Sequence, residues 1–373
     1  MVSISDGSTS SEKKLFENVP EILHGKNPAF VPPFPGSIVK YISPKAPFNR
    51  MHGETHPFIA WRDGKPVGRI AAIVNRSHNT HYSDKTGFFG FFECEDNAET
   101  AKALFDKAAA RLREKGLVTI RGPYNPSIND ECGLLVQGDD TPPYIGLVWN
   151  PLYYEKLILG EGFSNVWTTY GFDLPLAKLI VPERLTKLAN RVASRSSMKL
   201  RPINLKTLKD DLKIIHIVYN DTLKRNWGSV PISLEDLYGA AEDMRAIADP
   251  ELVQIAEKAG KPAGVAMTLP NFNEILIQLK STPHWLRLLH VFWLMKTYRI
   301  KGARQVVYGI VPEFRDRGLH AWLLNEQFVK AKERMETAQL GWVEERNTEI
   351  LENCTMVGGI QKRTWKVYEK PLP

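Results

Sequence analysis

Residues 306–320 read VVYGIVPEFRDRGLH, and the change of pattern inside them decides the fold. Val306 to Val311 is a β-branched run that fits a strand, and Pro312 stops it because it has no N–H to give to a ladder. A charged loop follows and closes at Gly318. Behind it Ala321, Leu324, Phe328, Ala331 and Met335 recur at helical spacing from Leu319 onward. A turn of this kind leaves the first N–H groups of the helix without intrahelical partners. It aims them, with the positive end of the helix dipole, at one spot. That arrangement binds anions; Gly318 would let a phosphate approach the backbone, and Arg315 and Arg317 add full charges. The competing reading is a plain strand-to-helix turn with two solvated arginines.

Outward from this stretch, one grammar is written twice. In the first half, Phe58–Trp61 and Val67–Val74 flank the turn Arg62-Asp63-Gly64-Lys65, a hairpin signal. Gly87–Glu93 is an aromatic strand. A helix capped by Asp96 or Asn97 follows, burying Ala101, Leu104, Phe105, Ala108 and Leu112 and stopping at Gly116. Val118–Arg121 is the next strand, and a short helix from Tyr153 to Leu159 ends near Gly162-Phe163. In the second half, Leu252–Ala256 and Ala263–Thr268 form a hairpin about Gly260, Val306–Val311 matches the aromatic strand, and Leu340–Glu344 and Thr364–Tyr368 complete the set. The reading is α/β, an α+β mixed sheet, in two tandem units: 1–175, a connecting helix 176–200, and 201–373 with an apolar and basic insertion at 270–304. Residues 1–45, rich in proline and aromatics, are expected to be an ordered but irregular lead-in.

The 373 residues suit two domains rather than one core. A net charge of +7 favours anionic partners, whether a phosphorylated cofactor, an acidic lipid surface or nucleic acid. Cys94, Cys132 and Cys354 are an odd number without CxxC spacing, which argues against a disulfide framework or a zinc site. The first residues lack the apolar core of a signal peptide, and no apolar run reaches the ~20 residues that span a bilayer. The expected location is the cytoplasm, free or peripheral on the inner face of the membrane.

The loop at 311–320 resembles the acyl-CoA pyrophosphate loop of the GNAT superfamily, Gln/Arg-x-x-Gly-x-Gly/Ala after a strand ending in Val-x-Pro or similar. Arg315 and Gly318 match, while His320 stands where Gly or Ala is usual. Asn347, Ile350 and Gly358-Gly359 resemble the family's next motif. In many members a Tyr seven residues after that Asn protonates the departing thiolate; Cys354 occupies the position here and is read as a buried structural residue. The first unit keeps the order of elements, and Tyr153, Tyr154, Gly162 and Phe163 resemble the Tyr…Gly-Phe ending. In place of the phosphate loop it has the acidic 95-EDNAET-100, so it is read as a degenerate copy that shapes the substrate cleft. Across the chain, GRIAAIVNRSHN, TGFFGFFE, RGPYNPSINDECGLL, NPLYYEKL and LGWVEERN…KVYEKPL are similar to a bacterial family of tandem GNAT-like proteins that includes or neighbours the bacterial ceramide synthases.

The resemblance implies an N-acyltransferase that passes an acyl group from acyl-CoA or acetyl-CoA, bound as substrate, to an amine acceptor, with a long-chain amino base one candidate. No metal is called for. Val311, Arg315, Asp316, Arg317, Gly318, Leu319 and His320 are the candidate acyl-CoA contacts. Glu345, Asn347 and Tyr308 are the candidate catalytic residues: Glu345 as the base that accepts the amine proton, with Glu344 as its alternative because alternate side chains of a strand face opposite ways. A rival reading is a non-catalytic GNAT-fold adaptor that binds lipid or membrane. Nucleic-acid binding lacks any recognition pattern beyond charge.

In the insertion, Trp285–Met295 is densely apolar with Lys280, Arg287, Lys296, Arg299, Lys301 and Arg304 about it, so residues 284–304 suit a helix lying in a bilayer interface. The competing reading packs it across the domain junction. His52, His56, His78 and His81 are read as surface loop residues rather than metal ligands. Asn129 or Glu131, in a rich turn segment, are candidates to line the cleft.

Overall fold

The computed structural model describes every residue except Arg225, Asp316 and Pro373, and for Asp243 the backbone alone. In chain order the main elements are β1 (Ser3–Asp6), α1 (Ser10–His24), β2 (Gly53–Arg62), β3 (Lys65–Asn75), β4 (Thr86–Cys94), α2 (Ala98–Glu114), β5 (Thr119–Gly122), β6 (Leu134–Gln137) and α3 (Tyr153–Gly160). They continue with β7 (Ser164–Pro175), α4 (Glu183–Arg195), β8 (Met198–Pro202), α5 (Leu208–Leu223), α6 (Leu234–Met244), β9 (Val253–Lys258) and β10 (Lys261–Pro270). The last are α7 (Arg287–Thr297), β11 (Gly302–Ile310), α8 (Leu319–Arg334), β12 (Thr337–Glu344), α9 (Thr348–Met356) and β13 (Ile360–Pro371). The fold is mixed α/β, as the alternation of hairpins and amphipathic helices predicts.

Two compact units emerge, and their membership does not follow chain order. The first takes residues Met1–Thr169, the insertion segment Ile275–Thr297 and the chain from Arg363 onward; the second takes Tyr170–Glu274 and Tyr298–Lys362. In the first unit the strand order is β1-β2-β3-β4-β5-β13, with β6 also on β13, and only β4 and β5 run parallel. In the second the order is β8-β9-β10-β11-β12, and only β11 and β12 run parallel. Each parallel pair is joined by one helix, α2 or α8, the right-sized crossover for such a pair.

The core of the first unit forms where the spacing places it. Asn97 caps α2 by accepting from the Thr100 N–H, and Ala101, Leu104, Phe105, Ala108 and Leu112 are all buried against β3 and β4. Phe92 stacks on Phe105 at 4.9 Å and Phe89 meets Phe105 edge-on at 5.1 Å. Gly116, at φ +75°, turns the chain out of α2.

Two expectations are corrected. Residues 1–45 are not irregular throughout: they contain α1, started by a reciprocal capping box between Thr9 and Glu12. Pro20 inside α1 cannot donate to the Phe16 carbonyl, and the buried Arg69 guanidinium donates to it instead. The same guanidinium lies over the Phe16 ring at 4.8 Å and reaches Glu93 at 3.5 Å. Nor does the connecting helix reach residue 200. It ends at Arg195, and Met198–Pro202 is a strand paired with β9.

Candidate functional site

The site in the second unit begins where two strands part. β11 and β12 are paired only from Gly302↔Thr337 to Gln305↔Leu340, although β11 continues to Ile310 and β12 to Glu344. The divergence starts at Gly341. Its φ of +135° is open to glycine alone, and a Cβ there would lie 2.7 Å from the Tyr170 carbonyl oxygen. Arg304 holds the bend: its Nε donates to the Gly341 carbonyl at 3.3 Å, and its guanidinium lies 5.1 Å from the Trp342 ring. On its other edge β11 stays paired with β10 from Val307 to Ile310, past a bulge that leaves Val306 without an opposite residue. Peptide groups of β11 that do not bond to β10 therefore turn toward the gap. A strand-interior glycine is the sequence signal that accompanies this bend.

At the open end of β11 the chain turns into α8. Pro312–Phe314 is a single tight turn with Phe314 buried, and Gly318 takes φ +74° at the N-terminus of α8. A Cβ on Gly318 would meet Val192 at 2.7 Å and Leu188 at 3.2 Å, both on α4, so packing and backbone conformation each require glycine. Ala321 N–H returns to the Gly318 carbonyl; among the described residues the N–H groups of Leu319 and His320 find no acceptor. Leu319 and Gly318 are buried against α4, while Arg317 and His320 are exposed, so one side of the turn is covered and the other faces solvent. Arg315 Nε donates to the Ile310 carbonyl at 3.1 Å and staples the loop to the strand. Arg317 lies 5.7 Å from the Phe314 ring. Val311 N–H is fixed to the Ala263 carbonyl at 3.0 Å, and Tyr308 Oη donates to the His320 carbonyl at 3.1 Å. Burial pushes the Tyr308 phenol well above its ordinary range. Asp316 lies outside the described residues.

At the end of β12 the two carboxylates part company. Glu344 is half-buried and accepts from the Trp227 N–H at 2.9 Å; burial raises its pKa, against which the Trp227 N–H and Arg346 pull downward. Glu345 is exposed and accepts from Tyr170 Oη at 2.8 Å. Asn347 caps α9 by accepting from the Ile350 N–H. Cys354 is buried in the core of this unit, its thiol pushed up to about 11 by desolvation. A shallow apolar groove of about 470 Å³ runs along α9, lined by Phe172, Leu351 and Met356 among others. It shares no residue with β11 or the loop, so the parted strands remain the candidate site.

The first unit has the same parting, and its own chain fills it. β4 and β5 pair only from Thr86↔Thr119 to Phe88↔Arg121. Beyond that, the Tyr124 carbonyl presses so closely on Gly90 that a Cβ there would sit 1.6 Å from it. The Phe91 N–H, freed by a bulge, donates to Asn125 Oδ1 at 2.6 Å, and the Tyr124 ring stacks on Phe88 at 5.0 Å. Where the second unit has basic residues, Glu95 is engaged by Arg62 at 3.2 Å and by Thr100 Oγ1 at 2.7 Å. This is the physical content of degeneracy: the slot is plugged and its mouth is acidic.

The histidines are not all on surface loops. His56 lies in β2 and bonds Glu54 at 3.1 Å, and His78 is buried in the helix Arg76–Tyr82 beside Asp84. Among the described residues no group of three or more His, Cys, Asp or Glu could hold a metal ion, and no helix is long and apolar enough to cross a membrane.

Comparison with solved structures decides the architecture. A tandem GNAT protein from the clavulanic acid biosynthesis pathway superposes with a TM-score of 0.58 at 10% identity, covering 100% of this chain and 99% of that one. The chain has the tandem GNAT fold. In sequence it is 29% identical over 388 aligned positions to the bacterial ceramide synthase of Caulobacter vibrioides, covering 100% of this chain and 98% of that protein. It is 27% identical to Protein YghO of Escherichia coli strain K12, covering 97% of this chain and 93% of the relative. No family model matches. Both units carry a strand parting and a crossover helix; in the first, Tyr124 and Asn125 enter the parting, and in the second, Thr222 packs over Gly309 on the face of β11.

Proposed function

We propose that the protein is an acyl-CoA-dependent N-acyltransferase whose reaction centre is the gap between β11 and β12. The observation that carries this reading is the contrast between the two units: the same parting of strands is plugged by Tyr124 and Asn125 in one and leads to a basic helix N-terminus in the other. The pyrophosphate of acyl-CoA would meet the N–H groups of Leu319 and His320 with Arg317 beside them, and Arg315 would position the loop rather than grip the ligand. The thioester carbonyl would take an N–H from the gap side of β11, which polarises it for attack. A neutral amine then adds its nitrogen to the carbonyl carbon, the C–S bond breaks and CoA leaves as a thiolate. An ammonium has no lone pair, so a base must first remove its proton. Glu344 suits that task better than Glu345, since burial lifts its pKa toward neutrality whereas Glu345 is solvated and tied to Tyr170. Asn347 and Tyr308 are engaged in holding α9 and the loop, which makes them positioning residues here.

The acceptor we favour is a long-chain amino base. Its support is full-length similarity to a protein named bacterial ceramide synthase. Since acyl-CoA is a cytoplasmic donor, the reaction belongs on that side of the membrane. The adaptor reading draws on His320 and on the buried Cys354, neither of which supplies the usual chemistry.

Thermal unfolding with and without acyl-CoA tests the donor site. The wild-type chain should gain several degrees and Arg317→Glu should gain little; equal gains would remove the loop from the argument. Acyl transfer from radiolabelled acyl-CoA to sphinganine, simple amines and peptides then separates enzyme from adaptor. Absence of product and of CoA release with every amine would leave the adaptor.

A further inference from the structure

The insertion helix α7 presents the wrong face to water. Trp285, in the turn that leads into it, is 79% exposed, and Leu288, Leu289, Phe292 and Trp293 are 47%, 67%, 57% and 58% exposed. These positions fall at i, i+3, i+4, i+7 and i+8, one continuous stripe. The side turned inward holds Arg287, Val291 and Leu294, so a cation is buried while two tryptophans and a phenylalanine face solvent. The three aromatic rings alone leave roughly 400 Å² in the open, as large as the functional patches of soluble proteins.

The inversion is built in. Both guanidinium Nη atoms of Arg287 bond the Glu21 carboxylate on α1, at 2.7 and 2.5 Å, and its Nε donates to the Thr282 carbonyl at 3.1 Å. The Lys280 ammonium donates to the Asn27 carbonyl just past the end of α1. These bonds lie within the first unit and fix the rotation of α7 about its axis, which keeps the stripe outward.

Charge selects the occupant. Within residues 275–297 there is no Asp or Glu, and with Arg287 neutralised by Glu21 the ammonium groups of Lys280 and Lys296 supply the positive charge about the stripe. A second copy docking stripe to stripe would bring like charges together, whereas an anionic bilayer supplies the opposite sign. At 11 residues α7 is about 16 Å long and cannot span a hydrocarbon core of ~30 Å, so it would lie in the plane of the interface. Tryptophan and phenylalanine enter at headgroup depth there, and Lys296, exposed at the end of the helix, meets lipid phosphate. We infer that α7 docks the protein peripherally on a phospholipid surface that carries negative charge.

The test is co-sedimentation of the purified full chain with vesicles of phosphatidylcholine alone or with 30% phosphatidylglycerol, at rising salt that shortens the Debye length from about 10 Å at 0.1 M to about 3 Å at 1 M. The wild-type chain should pellet with the anionic vesicles, bind the neutral ones more weakly, and lose binding as salt rises. The double variant Leu289→Glu/Trp293→Glu should lower the partition coefficient at least tenfold with an unchanged melting temperature. Should that variant fold poorly, Trp285→Ser, at the most exposed position, should lower partitioning severalfold by the same measurement. Failure of the wild-type chain to bind either vesicle would overturn the inference, as would variants that pellet as well as wild type. So would a wild-type dimer in solution that the double variant converts to monomer. None of these measurements involves acyl transfer, so a negative result here leaves the proposed function standing.

Discussion

Burial lifts the Glu344 carboxyl above its ordinary pKa, so its folded-state value exceeds its unfolded one. Protonation then favours folding. The penalty of keeping this side chain ionised is absent below about pH 4, near the unfolded value, and is fully felt once the pH has risen past the folded one. Glu344→Gln should therefore leave the melting temperature at pH 7 unchanged or slightly raised, with the Trp227 N–H still satisfied by the amide oxygen. Turnover should fall by about a hundredfold or more if the group is the base. In the wild-type chain kcat/KM should climb as pH rises through the shifted pKa; a flat acidic limb, or a variant with near-normal turnover, would dismiss Glu344. Sequence alone named both neighbours because a strand sends consecutive side chains to opposite faces, but the phase was hidden. The bend at Gly341 resets it, and a bend is a backbone property that residue types announce only faintly. The loop residues were legible as a set, since strand, Pro312, basic loop and Gly318 leave a compact signature. That Arg315 turns back on its own strand while Arg317 stays outside depends on rotamers, which no spacing encodes.

Elements in this protein depend on distant residues more than local propensity suggests. The β11–β12 parting needs Gly341, and Gly341→Ala would place a methyl against the Tyr170 carbonyl in a disfavoured conformation. A loss of about 1–3 kcal/mol is expected, together with a weaker acyl-CoA-induced rise in melting temperature. Normal stability and normal acyl-CoA response would show that the strands part for another reason. Helix α1 shows the same dependence. Its capping box is present in the sequence, while Pro20 in the helix interior leaves a carbonyl unpaired. The remedy comes from Arg69 on β3, 53 positions from Phe16. Arg69→Leu would strand the Phe16 carbonyl and leave the half-buried Glu93 with Tyr154 and His24 alone, at a cost of about 1–3 kcal/mol by urea denaturation. The helices with regular periodicity, α2 and α8, are readable from end to end, as their stability rests on their own apolar faces, whereas β2 begins at Gly53, five residues before the run that signals it.

At the scale of the molecule the repeat was visible because both copies keep hairpin, strand, helix and strand in one order. The assignment of β13 was not, since nothing local to residues 363–371 says which core they join. Trp365 and Tyr368 are fully buried, Tyr368 in the core of the first unit, and β13 pairs with β5 and β6 there. A fragment of residues 1–175 should accordingly show no cooperative unfolding transition, and calorimetry on that fragment checks this. A sharp transition would mean that the first unit closes without β13. The same connectivity governs the newborn chain. Emerging from the ribosome, the amino-terminal half has every strand of its sheet except the one that covers β5, and that strand follows the whole of the second unit. For the time needed to translate nearly two hundred residues it carries an open, apolar edge, a natural substrate for a chaperone and the point at which overexpression should first fail.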